Sequence, residues 1–111
     1  MMTSSRQELG QHIEDALRLV IDPELGLNIV DLGLVYVVGV DDSGGARILM
    51  TTTTRGCPAS AFLKDGAQQA AAAVPGVTSA EVSLTYDPAW KPGMMTPWAR
   101  EQLGFVLGND P

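Results

Sequence analysis

Five turn-forming residues in a row, Asp41-Asp42-Ser43-Gly44-Gly45, divide two runs of β-forming residues, and nothing else in the chain limits its folding as much. Residues 32–40 are rich in Val, Leu and Tyr, and residues 46–54 follow the turn as a second extended run, so the pair predicts a hairpin. In the second strand Ile48, Met50, Thr52 and Thr54 share one face while Arg47, Leu49, Thr51 and Thr53 share the other. That division predicts a sheet partly covered on both sides.

The flanking segments supply the cover. Before the hairpin, Ser4 or Ser5 can cap a helix whose apolar residues Leu9, Ile13, Ala16, Leu17 and Val20 recur at helical spacing. Asp22-Pro23 ends it and opens a loop, residues 21–31, that carries Asp22, Glu24 and Asp31. After the hairpin, residues 58–73 read as a helix with Phe62, Leu63, Ala67, Ala70 and Val74 inward and Gly66 marking a close approach to a neighbouring element. Pro75-Gly76 stops it, and residues 77–86 alternate as a third strand. A right-handed crossover places that strand parallel to the second one. Thr96 caps and Pro97 opens a short last helix that Gly104 ends. The expected fold class is α+β: two layers in the order α-β-β-α-β with a short C-terminal helix and a mixed sheet covered by helices. The 111 residues suffice for a single domain.

Chemistry is concentrated at Thr51-Thr52-Thr53-Thr54-Arg55-Gly56-Cys57-Pro58, where the only cysteine falls between a strand end and a proline-opened helix. Pro58 suits the first helical position, which puts Cys57 at or near the N-cap. There, unpaired N–H groups and the helix dipole favour a thiolate, the form that ligates soft metals and oxidises. An inert, buried cysteine is the plain alternative. The one histidine, His12, lies mid-helix beside Gln11 and reads as a surface residue, so a cysteine–histidine enzyme lacks its base. A single cysteine cannot build a four-thiolate or structural zinc site, so a metal centre would need ligands from a second subunit, a partner or a small thiol. Asp22 and Glu24 could do acid–base work, but Asp22 could equally cap the turn that ends the first helix. The threonine hydroxyls are at once good strand formers and possible donors to a sulfur or anion beside Cys57.

A net charge of −6 disfavours nucleic acid and anionic membranes as partners. No apolar stretch approaches the ~20 residues of a membrane span, and the polar N-terminus lacks a secretory pattern. With one cysteine and no internal disulfide, the expected location is the reducing cytoplasm.

Asp22-Pro23-Glu24, residues 29–36, residues 50–54, Cys57-Pro58, Asp87-Pro88-Ala89-Trp90 and Met95-Thr96-Pro97 with Arg100 and Leu103-Gly104 together resemble the metal-sulfur cluster biosynthesis family. The resemblance runs from about residue 13 to 105, in unchanged order. It implies a small α+β factor, not an enzyme, that assists iron–sulfur cluster assembly or delivery through a reactive cysteine at Cys57, which would hold iron or a cluster transiently. It also implies a pocket of Asp22, Glu24, Asp31, Thr53 and Thr54, with Arg55 standing where relatives often have proline and Ala89 replacing a proline. A guanidinium at Arg55 would favour the thiolate if it points at the sulfur. The implied cargo is a transient iron–sulfur cluster or iron, with none expected after purification in air. Expected partners are the assembly machinery, client apoproteins and, with one cysteine per chain, a second copy in a homodimer whose two thiolates could share a cluster. The family's SufT-type branch fits better than its PaaD-like branch, an accessory protein for a multicomponent oxygenase that continues into a cysteine-rich tail. A thiol redox module, or an interaction module presenting Trp90, Met94, Met95 and Trp98, is the competing reading.

Overall fold

The computed structural model describes residues 6–53 and 59–104. Helix α1 (Arg6–Leu17) buries Ile13 and Leu17, and Leu9 and Ala16 pack at the edge of the same stripe. The helix ends sooner than its apolar pattern suggests. Val20 reaches the core from a tight turn, closed by Val20 N–H donating to the Leu17 carbonyl at 3.0 Å. The capping residues expected at Ser4 or Ser5 lie outside the described residues.

Strands β1 (Val35–Val40) and β2 (Gly45–Met50) form the expected antiparallel hairpin, and β3 (Ser79–Leu84) lies parallel to β2, in the order β1-β2-β3. Both hairpin strands are shorter than the residue pattern predicts. Residues 32–34 are taken up by turns, with Gly33 N–H donating to Val30 and Leu34 N–H to Ile29. Past Met50, Thr51 N–H still bonds the Leu34 carbonyl at 2.8 Å, in register with the Val35–Met50 pair, but the regular strands end there. Tyr36 is the extra residue of a β-bulge between Val35 and Val37.

The helices cover one face of the sheet. Ala46, Ile48, Met50 and Val82 lie buried beneath α1 and α2 (Ala59–Ala72), while the opposite face is open, with Val37 52% exposed and Arg47 facing Glu81 across the strands at 4.0 Å. The expectation of cover on both sides is therefore corrected: on that second face of β2 only Gly45 at one end and Thr51 past the other are buried among the described residues. A second correction concerns Phe62, placed inward by its helical spacing but 61% exposed. The buried stripe of α2 runs Ser60, Leu63, Ala67, Ala71 and on to Val74, and Phe62 falls outside it. Gly66 does mark a close approach, since a β-carbon there would lie 3.3 Å from Val20 Cγ1.

The turn between β1 and β2 is organised by Asp41, whose Oδ1 accepts from Ser43 N–H at 2.9 Å, Gly45 N–H at 2.8 Å and the Ser43 hydroxyl. These donors, Gly45 first, hold the carboxylate below its ordinary pKa. The same turn anchors the start of β3: Thr78 N–H donates to the Gly44 carbonyl at 2.9 Å and its hydroxyl to Ser43 at 2.8 Å.

Beyond β3 the chain passes a cis Asp87–Pro88 bond and a 3-10 turn (Pro92–Met94) into α3 (Pro97–Gln102). Thr96 caps α3 as expected, its hydroxyl accepting from Ala99 N–H at 3.2 Å. Among the described residues no helix is long and apolar enough to cross a membrane.

The C-terminal segment presses on Gly33, whose φ is +78°; a β-carbon there would overlap the Met94 carbonyl. Gly33→Ala combines left-handed strain of ~1–2 kcal/mol with a backbone clash, for an expected loss of about 3 kcal/mol or more. Gly93→Ala, with nothing within 4 Å of the new β-carbon, should lie within ~0.5 kcal/mol of wild type in the same denaturant titration. Because the folded pKa of Asp41 is lowered, its contribution is present above the ordinary value of ~3.9 and is lost as pH falls through the folded value. Denaturant midpoints followed into that acid range should fall less steeply for Asp41→Asn than for wild type.

Candidate functional site

Because β2 and β3 are parallel, both end at the same edge of the molecule, with α2 beginning between them. Thr51 and Thr52 leave β2, Ser60 opens α2, and Tyr86 follows β3. The Thr52 hydroxyl hydrogen-bonds with Ser60 Oγ at 3.1 Å and with the Tyr86 hydroxyl at 2.8 Å, joining three elements at one buried oxygen. Thr85 N–H donates to the Met50 carbonyl at 2.8 Å and carries the strand pairing up to that cluster. Thr53 is half-buried beside it. Thr54, Arg55 and Cys57 lie outside the described residues, in the segment that links Thr53 to Ala59.

The acidic loop stands next to this edge, tied to it by the Thr51–Leu34 backbone bond. An Ile21–Asn28 bridge closes the loop at its neck. Asp22, only 2% exposed, spends Oδ1 on Glu24 N–H at 2.7 Å and Leu25 N–H at 3.1 Å. It therefore caps the turn, as one of the two sequence readings held. Glu24 is exposed. Asp31 is half-buried and paired with Asn28, whose Nδ2 donates to Asp31 Oδ2 at 2.7 Å while Asn28 Oδ1 accepts from Asp31 N–H at 2.8 Å. The C-terminal segment braces the loop from outside: Trp90 Nε1 donates to the Leu32 carbonyl at 2.7 Å and Thr96 N–H to the Asp31 carbonyl at 2.9 Å.

Of the four residues considered as a contact surface, Met95 and half-buried Trp90 belong to core and cover, whereas Trp98 is 50% exposed. His12 is exposed and lines a cleft of ≈ 660 Å³ with Arg6 and Asp41 at the opposite end of the sheet. Among the described residues no group of three or more His, Cys, Asp or Glu side chains is placed to hold a metal ion.

Sequence reasoning missed Asn28, Ser60 and Tyr86. The crossover was the signal for Tyr86, since ligands of parallel strands gather at their carboxyl ends, where β3 must deliver the residues that follow it.

Residues 10–84 match the model of the iron–sulfur cluster assembly protein family, and the chain belongs to that family. It is 41% identical to the Fe-S protein maturation auxiliary factor YitW of Bacillus subtilis, over 89% of this chain and 97% of that protein. It is 43% identical to the Fe-S protein maturation auxiliary factor SufT of Staphylococcus aureus, over 78% of this chain and 98% of that protein. A crystal structure of a domain of unknown function, DUF59, from Bacillus anthracis superposes with a TM-score of 0.86 at 35% identity, covering 91% of this chain and 96% of that one. The family and fold expected from the residue pattern are thus borne out.

Replacing Asp22 separates its turn-capping from any chemistry. Asp22→Ala strands two N–H groups in a buried turn and should cost ~1–3 kcal/mol, whereas Asp22→Asn retains the acceptor and should cost less than ~1 kcal/mol. Thermal melting of the two variants distinguishes these outcomes.

Proposed function

We propose that this chain assists the maturation of iron–sulfur proteins as a single-domain, non-enzymatic factor, with Cys57 as the thiolate that briefly holds iron or a nascent cluster in transit to a client. The observation that carries this reading is the joining of Thr52, Ser60 and Tyr86 hydroxyls at the edge where the segment bearing the sole cysteine leaves β2 and enters α2. Such an edge combines hydroxyl donors with the start of a helix, and both favour an anionic sulfur. The naming of its relatives as maturation auxiliary factors supports the same reading.

The donor set suits cargo in passage better than a resident centre. One soft ligand, Cys57, and the hard carboxylates Glu24 and Asp31 leave most positions on a thiophilic iron to be filled by a client's cysteines, a small thiol or the assembly machinery. Exchange of ligands then moves the cargo. Thr53, Thr54 and Arg55 complete the proposed pocket, and Asp22 shapes its acidic wall. The reading places the protein in the cytoplasm as a homodimer.

The test is anaerobic incubation with ferrous iron and sulfide, followed by iron analysis and activity of iron–sulfur enzymes in a strain deleted for the gene. Cys57→Ser should bind no iron and restore no activity while melting close to wild type, because serine is a good N-cap. Alkylation of Cys57 should show a midpoint below the ~8.5 of an unperturbed thiol. A serine variant that fully restores the enzymes would overturn the assignment of Cys57.

A further inference from the structure

We propose that the free edge of β1 pairs antiparallel with β1 of a second copy, joining two three-stranded sheets about a two-fold axis with the two α1 helices side by side. The strand Val35–Val40, VYVVGV, carries no charge and no proline, the devices that normally blunt an edge. Its bulge lies at the Tyr36 end, leaving residues 37–40 regular. Among the described residues, no backbone group bonds to its outer side. The other edge, β3, carries Glu81 in mid-strand.

The helix beside this edge is built to match itself. A groove of ≈ 300 Å³ runs between β1 and the α1 residues Arg6, Gln7, Gly10, Gln11 and Glu14. Glycine inside a helix costs ~1 kcal/mol relative to alanine, yet a β-carbon on Gly10 would meet nothing within 4 Å, so no contact among the described residues accounts for it. Close approach of a second helix does.

Charge points to the same occupant. Arg6 lies at the Val40 end of the groove, 3.0 Å from Asp42, and Glu14 lies two helical turns, ~12 Å, toward the Val35 end. A two-fold axis near Gly10 sets Arg6 of each copy against Glu14 of the other. The present partners, Asp42 for Arg6 and Arg18 for Glu14, are solvent-exposed pairs that hold these side chains weakly. For chains of net charge −6 this neutral, self-complementary edge opposes approach least.

The arrangement has a chemical consequence. Strands β2 of the two copies would lie three spacings, ~14 Å, apart and point in opposite directions. The carboxyl ends of the two β2 strands, each with its Thr52, Ser60 and Tyr86 cluster, then sit at opposite ends of the joined sheet, so the dimer carries two separate edges of this kind.

Sedimentation velocity of the full chain across the micromolar range tests this, with circular dichroism confirming the fold of each variant. Wild type should dimerise reversibly. Arg6→Glu should weaken dimerisation about tenfold or more, and Arg6→Glu combined with Glu14→Arg should recover it. Gly10→Leu should raise helix stability while abolishing association. A wild-type monomer throughout the range, or a dimer indifferent to both Gly10→Leu and the charge reversal, overturns the proposal. Neither result bears on the assignment of Cys57, which rests on iron binding and enzyme rescue.

Discussion

Parallel pairing of β2 with β3 is the constraint from which the rest of this structure follows. Its register runs unbroken from Gly45 opposite Ser79 to Met50 opposite Leu84. Parallel strands cannot be joined by a tight turn, so α2 must cross back over the sheet. That crossing buries Leu63, Ala67 and Ala71 and gives the sheet its single covered face. It also brings the end of β2, the start of α2 and the end of β3 to one edge, where a buried threonine hydroxyl can reach both a serine and a tyrosine.

The acidic loop depends on that edge and on the C-terminal segment together. Its internal bonds make it a compact unit: Asp22 closes one turn, Asn28 and Asp31 another. These units are then held between Thr51 on one side and Trp90 and Thr96 on the other. Leu32 and Trp90, far apart in the chain, thus share through one hydrogen bond the task of holding the loop that carries Asp22, Glu24 and Asp31.

Much of this was legible in the residues. The Asp41–Gly45 turn, the proline and threonine that open α3, and the length of the crossover each obey local stereochemistry, and each emerged as expected. Phe62 misled because α2 is rich in alanine, which packs or faces water with little preference and leaves the helix phase loosely marked. The outer face of the sheet misled because Val37 and Leu49 are apolar without being covered. Ser60 and Tyr86 escaped notice for a different reason. Their meeting through Thr52 is a tertiary event between residues 26 positions apart, and no periodicity encodes it. Cys57 was legible only as chemistry, from its neighbours in the chain.

The bonds from Thr78 to Ser43 and Gly44 set the register of β3 against β2 at the end of the sheet opposite the Thr52, Ser60 and Tyr86 cluster. Alignment of the two strands is therefore pinned at the end away from that hydroxyl cluster. Strand alignment and the hydroxyl cluster are assigned to opposite poles of the same paired strands, so a substitution at one pole can leave the other unchanged.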